Sequence, residues 1–270
     1  MKYLAIIFLC IAASCQHIGS SAHKLVAQTE YDTADGPSAK QPATSDSLQH
    51  AELLYTEGHS LLAGAYRMWE AKDNPGLILK KGWLQLFRDG HEGFKIDDAQ
   101  YSIANGYDTC AGIETRVVTS KRETLAFFNI PGIHKGTIPC VQLEQQQIWP
   151  QKRVVFEFMG HTYTLRGEGE ITATDTYTDN GDAQVFHHVS GYRLVLTDRQ
   201  QKQYTLAAED SFNDTFIRIV FVGDLDGDRK PDFILSAPRD YEEERILIVL
   251  SSKMDNETLE VYECHRQFDC

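Results

Sequence analysis

Positive charge is scarce in this sequence: 26 lysines and arginines stand against 39 aspartates and glutamates, a formal net charge of −13. That deficit removes the attraction to phosphate on which nucleic-acid binding depends, and anionic membrane surfaces repel such a chain. Cations are the charged partners it favours. The common catalytic signatures are missing as well. There is no Gly-x-Ser-x-Gly elbow, no His-Glu-x-x-His and no phosphate-cradling glycine loop, which excludes the usual routes to hydrolysis through an activated serine, a zinc-bound water or a bound nucleotide. Without Cys-x-x-Cys spacing, the cysteines do not present the usual pattern of a structural zinc site. What remains is an ordinary globular composition, 42% hydrophobic and 24% charged over 270 residues, enough for one large or two modest domains.

The N-terminus reads as an export signal. Lys2 supplies a short positive region, and Tyr3 to Ala13 form an apolar stretch too short to cross a bilayer as a helix. Ile11-Ala12-Ala13-Ser14-Cys15 resembles a bacterial lipobox, which places a lipid on Cys15 as the first mature residue. Ala12 stands where lipoboxes usually carry leucine, and ordinary release after a small-residue site is the competing reading. Either way the protein is exported, to the periplasm or the outer-membrane surface as a lipoprotein, otherwise as a secreted protein. Membrane contact is then expected only through the anchor. In that oxidising setting Cys110, Cys140, Cys264 and Cys270 are disulfide candidates with three possible connectivities, and proximity suggests Cys110–Cys140 and Cys264–Cys270.

Four segments follow: a signal peptide over 1–14, a flexible linker over 15–49, an N-terminal β-rich region over 50–150 and a C-terminal β region over 151–270. The linker is small and polar and contains Gly36-Pro37-Ser38 and Gln41-Pro42, a composition that cannot bury a core. A short helix is expected over Ser45 to Leu62, capped by Ser45 or Asp46, with Leu48, Leu53, Leu54, Leu61 and Leu62 as a partial apolar face and Gly58 as an interruption. Beyond it, short β-branched and aromatic runs separated by turn residues predict strands. They are Trp83–Phe87, Arg116–Thr119, Thr124–Phe128, Val154–Phe158, Tyr163–Leu165, Tyr192–Leu196, Tyr204–Ala207, Phe216–Val222, Phe233–Ser236, Ile246–Ser251 and Leu259–Cys264. Asp179-Asn180-Gly181-Asp182 predicts a tight hairpin between Ile171–Tyr177 and Gln184–Val189, because Asn-Gly accepts the positive φ angles such a turn demands. The expected fold is therefore mainly β, of antiparallel strands and hairpins, with a possible boundary between halves at Pro139–Pro150.

The segment richest in chemistry is Asp224-Leu225-Asp226-Gly227-Asp228-Arg229-Lys230-Pro231-Asp232. Its aspartates sit at loop positions one, three, five and nine, and Lys230 at position seven can offer its backbone carbonyl. Calcium takes six to eight oxygen ligands, so carboxylates on alternate residues suit it, and Gly227 lets the backbone curl around an ion. From Asp224 to Glu244 eight acids face Arg229, Lys230 and Arg239, a local net charge of −5 that a cation would compensate. An EF-hand requires glutamate at position twelve between helices. Here that position is Leu235 and both flanks read as strands, so the EF-hand is excluded.

The run from Val222 to Pro238 resembles the FG-GAP or VCBS-type repeat of integrin-α-like β-propellers. Gly223, Asp224, Asp226, Gly227, Asp228, Asp232, the apolar triplet Phe233-Ile234-Leu235, Ala237 and Pro238 all match that strand–loop–strand unit. The resemblance implies a bound calcium, with Asp224, Asp226, Asp228, the Lys230 carbonyl and Asp232 as ligands. Arg229 and Ser236 stand where the family usually has glycine. One copy of the repeat does not build a propeller.

Elsewhere the candidates are weaker. His187 and His188, adjacent on one predicted strand, point to opposite faces and cannot grip one metal together. Glu168 and Glu170 fall on one strand face as a glycosidase pair would, although such pairs are common on solvated faces. Trp83 reads as core, and Trp149, beside Pro150, as an exposed contact. The expected function is thus a non-catalytic binding or scaffolding role at the cell envelope toward a protein or glycan, with one structural calcium. The alternative is an envelope hydrolase acting on glycan or peptide.

Overall fold

The computed structural model describes residues 52–90, 93–179, 182–254 and 258–267. The signal peptide, the linker, Cys15 and Cys270 lie outside the described residues. The first strands are β1 (Glu52–Thr56), β2 (Ser60–Leu61), β3 (Gly64–Arg67), β4 (Leu84–Arg88), β5 (Phe94–Asp98), β6 (Tyr101–Asp108), β7 (Ile113–Ser120), β8 (Thr124–Phe128) and β9 (Gly136–Ile138). Then come β10 (Arg153–Phe158), β11 (His161–Asp179), β12 (Asp182–Thr197), β13 (Gln203–Ser211), β14 (Arg218–Gly223), β15 (Asp232–Ser236), β16 (Glu243–Met254) and β17 (Thr258–Gln267). The protein is mainly β, every expected strand is present, and the described residues form neither a closed barrel nor a complete propeller.

Among the described residues, helix is confined to two short turns between β3 and β4, a 3-10 turn at Ala71–Asp73 and one α-turn at Pro75–Ile78. Asn74 caps the second, its side chain accepting from the Gly76 amide at 3.0 Å. The helix expected over Ser45 to Leu62 is corrected: its described part forms β1 and β2 instead. Gly58, at φ 80°, breaks the chain there, and β1 gains a ladder by pairing parallel to β17 from Glu52↔Thr258 to Thr56↔Tyr262. Tertiary pairing outweighs the partial leucine periodicity.

The described residues form four sheets, ordered β1-β17-β16-β15-β14, β10-β11-β12-β13, β2-β8-β4-β5-β9 and β3-β7-β6. All pairings between neighbouring strands are antiparallel except β1 with β17. The β14–β17 sheet is packed between two others, while Val118 of the β3-β7-β6 sheet shares a separate core with Phe127 of β8. Phe233, Leu235, Leu247 and Val249 point one way, into a core shared with Leu165, Leu194 and Leu206 of the β10–β13 sheet. Ile234, Ile246, Ile248 and Leu250 point the other way, against Leu86, Ile96 and Phe128 of the β4–β8 sheet. Burial on both faces explains why Phe233–Leu235 and Ile246–Leu250 are continuous apolar runs rather than alternating ones. Each such side chain contributes about 1.5–3 kcal/mol on leaving water.

The 50–150 and 151–270 regions therefore share a core. Residues 139–146 lie along the free edge of β14: the Val141 amide donates to the Val222 carbonyl at 3.0 Å, Asp224 to Pro139 at 3.0 Å and Ile219 to Gln146 at 2.9 Å. That edge is covered rather than left as a template for pairing.

Candidate metal centre

The acidic loop connects β14 to β15, neighbours in the middle layer. Two residues fix how it enters. A side chain at Gly223 would come within 2.6 Å of the Pro139 carbonyl oxygen, so only glycine permits this approach. Leu225 is 1% exposed and plugs the core between the middle sheet and the β4–β8 sheet. With Leu225 pulled inward, its neighbours Asp224 and Asp226 are held at the rim, Asp224 buried and Asp226 half-buried.

The carboxylates of Asp224, Asp226 and Asp232 each offer an oxygen, all lying within 4.8 Å of one another. Asp232, the first residue of β15, is 0% exposed and Asp224 6%. Among the described residues no lysine, arginine or histidine pairs with any of these three. Two like charges at that separation repel by about 3 kcal/mol at an effective dielectric constant near 20.

Backbone amides offset part of this. Asp224 accepts from Gly227 at 2.7 Å and from Arg229 at 3.1 Å; Asp232 accepts from Leu225 at 2.6 Å and from Ser251 at 2.7 Å. The offset is incomplete. Burial, with the Asp226 charge behind it, holds the Asp232 carboxyl well above the usual carboxylate range despite the Ser251 and Leu225 donors. Burial also raises Asp224, against the Gly227 and Arg229 amides, and the charges of Asp228 and Asp226 add to the rise. Carboxylates that are crowded, desolvated and without a cationic side chain form a donor set of hard oxygens, which suits a hard cation.

Of the five expected ligands, then, the structure brings three carboxylates together. Asp228 sits beside them, its oxygens both 3.0 Å from the Ser251 hydroxyl, and Lys230 places its ammonium 3.7 Å from Asp228. Sequence reasoning missed Ser251 and Ser252 at the outer end of β16. Ser251 donates to Asp228 and Asp232, and Ser252 to Asp226. Their only signal was a Ser-Ser pair ending the Ile246–Leu250 run, and it gains meaning from the pairing Phe233↔Val249, which carries the next residues of β16 past Asp232. Arg229 adopts φ 65° and Gly227 φ 84°. Arg229, a residue with a Cβ, thus occupies a left-handed conformation of the kind glycine adopts freely.

A second cluster, Glu57, Glu263 and His265, also brings potential ligand atoms within 4.8 Å. It differs in having its own cation: Arg245, 3% exposed, donates to Glu263 at 2.8 Å and to Glu209.

The remaining candidates do not converge. Glu168 is ion-paired with Arg166 and with Arg193, the latter at 3.4 Å. Glu170 is exposed beyond the bulge at Gly169. His188 contacts Asp175 at 2.8 Å, and His187 contacts Thr174 at 2.9 Å. The cavities beside β14 and beside β1 are walled by other side chains. Trp83 is core, 5% exposed. Trp149, expected as an exposed contact, stacks on Phe216 with ring centroids 3.9 Å apart.

Cys110 and Cys140 are both disulfide-bonded. The proposed Cys264–Cys270 bridge is corrected, because Cys264 is a buried free thiol. On β17 it faces the core shared with Tyr262 and Ile246, away from solvent, and burial pushes its thiol up to about 12.

Fold and site together define a mainly β protein of four sheets with a carboxylate-lined loop in the sheet that is buried on both faces. Comparison with family models, with curated proteins and with solved structures finds no match for this chain.

Proposed function

We propose that this is a calcium-stabilised, non-catalytic binding or scaffolding protein of the cell envelope. The observation that carries the reading is the group of three carboxylates at the β14–β15 loop, two of them buried without a cationic side chain. Calcium is the ion favoured over magnesium. Magnesium demands near-ideal octahedral geometry and holds its waters, whereas calcium tolerates crowded carboxylates. The FG-GAP-like pattern from Val222 to Pro238 supports the same ion. Asp224, Asp226, Asp228, Asp232 and the Lys230 carbonyl form the proposed ligand set.

Because the loop joins two strands packed on both faces, an ion there ties the middle sheet together at its rim. Export, with a lipid on Cys15 or without it, supplies millimolar-range calcium and the oxidising conditions that disulfide-bonded Cys110 and Cys140 need. The partner is a protein or a glycan. The dispersal of Glu168, Glu170 and His188 supports a binding role over hydrolysis.

Thermal unfolding tests the reading. At one hundred times the dissociation constant, calcium raises stability by about 2.7 kcal/mol over the EDTA-treated protein. The expected result is a rise in Tm with calcium that magnesium does not reproduce and that Asp226→Ala abolishes. Equal Tm values in calcium and EDTA would refute it.

A further inference from the structure

β11 and β12 run far past the strands that flank them. β10 pairs with β11 only from His161 to Arg166, and β13 pairs with β12 only from Ser190 to Thr197. A bridge from Pro150 to Gly167 closes the base on one side. Beyond it the two long strands continue alone to Asp179↔Asp182. Among the described residues no backbone hydrogen bond leaves the outer edge of either strand from Glu168 to Val189.

Every residue from Ile171 to Thr178 is exposed, so both faces of the ribbon meet solvent. The ribbon is nonetheless braced. Trp149, stacked on Phe216, meets Phe186 and His187 edge-on at 5.9 and 4.9 Å, and the His188–Asp175 and Thr174–His187 contacts cross between its strands. Bulges occur only near the base, at Glu168/Glu170 and Ile171/Ala173, and the register is unbroken beyond them.

Free strand edges are pairing templates, which proteins usually blunt with lysine, proline or a bulge. From Glu168 to Ser190 there is no lysine, arginine or proline, and there are five acids, of which Glu168 at the base is already held by Arg166 and Arg193. Thr174, Thr176 and Thr178, with Val185 opposite Thr176, give it β-branched pairing surface. An ordered ribbon with open edges and charge of one sign is complementary to an extended chain of the other sign.

We propose that this ribbon is a docking arm which takes up an extended, basic polypeptide segment of a partner protein by strand addition. Main-chain hydrogen bonds to an outer edge supply affinity, and the acids steer and select the basic strand. A second copy of the chain is disfavoured, since it brings the same five acids and a net charge of −13. The arm is separate from the acidic loop, so its binding is expected with calcium and with EDTA alike.

The test uses the mature protein at low salt and a fluorescent peptide of about ten residues alternating lysine and threonine. The expected results are saturable binding by polarisation and slowed amide exchange over 171–178. Affinity should fall about fivefold in the double variant Glu170→Gln/Asp175→Asn. A glutamate–threonine peptide, and the lysine peptide with its backbone fully N-methylated, are expected not to bind. Equal binding of the N-methylated peptide would show attraction by charge alone and overturn strand addition. Absence of binding overturns the proposal, as does sedimentation showing self-association that deletion of the ribbon removes, which would assign the arm to a second copy.

Discussion

Arg229→Gly is the substitution whose outcome the loop geometry specifies most sharply. Arg229 holds φ 65°, in the left-handed region that favours glycine. A left-handed backbone costs a residue with Cβ about 1–2 kcal/mol, and glycine returns about 0.4–1 kcal/mol of that through its freer unfolded chain. The net expectation is a gain of about 0.5–1 kcal/mol, or ~1–3 °C in Tm for a body of this size. Removing the guanidinium also removes a positive charge beside the proposed calcium; at surface dielectric that is worth ~0.5 kcal/mol, about twofold in calcium affinity. Arg229→Ala separates the two effects, for it lacks the charge and keeps the strained φ. Thermal unfolding in EDTA reads the backbone contribution, and calcium titration reads the charge. Glycine should stabilise where alanine does not, and both should bind calcium more tightly than the parent. If alanine and glycine stabilise equally in EDTA, the strain argument is refuted.

Further expectations follow from the buried charges and thiol. In EDTA, the raised carboxyls of Asp224 and Asp232 mean that the folded state binds more protons than the unfolded one above the ordinary value of 3.8. Their contribution to stability is therefore fully present below that value and is lost as pH rises through the folded values. Asp232→Asn, compared with the parent across pH in denaturant melts, should reduce this slope to the part Asp224 supplies, and an unchanged slope would contradict it. Arg245→Met leaves Glu209 and Glu263 partly or wholly buried without their shared cation, at a cost of about 3–5 kcal/mol in urea unfolding; a loss below about 1 kcal/mol would show that water reaches the site. Cys264, buried with its thiol pushed up to about 12, should resist alkylation in the native protein and react only on unfolding, as mapped by peptide mass spectrometry. Labelling at native rates would contradict its placement in the core.

Much of the fold was legible because its core strands carry unambiguous local chemistry. Phe233–Leu235 and Ile246–Leu250 are apolar on both faces, and only a middle layer buries both. The Asn180-Gly181 pair located the hairpin that closes at Asp179↔Asp182. β1 escaped because Leu53 and Leu54 fit a helical face as well as a strand, and its partner β17 lies some two hundred residues away. Parallel pairing at that distance leaves no local trace. β6, reading Tyr-Ser-Ile-Ala-Asn-Gly-Tyr-Asp, carries too few β-branched residues to announce itself and forms through its ladder with β7.

The site was legible in part for the same reason. Alternate aspartates mark a ligand loop whatever fold surrounds it, so Asp224, Asp226 and Asp232 could be named from spacing. Ser251 and Ser252 belong to the site only through the β15–β16 register, which no local pattern encodes. The pairing inferred for Cys264 relied on closeness in sequence. Strand alternation turned that thiol inward instead.

Titration calorimetry with calcium on the mature protein tests the central claim most directly. One calcium should bind per chain at sub-millimolar to millimolar concentration, and the heat should vanish in Asp226→Ala and Asp228→Ala variants that remain folded by circular dichroism. A parent protein that gives no heat at millimolar calcium, or variants that bind as the parent does, would contradict it.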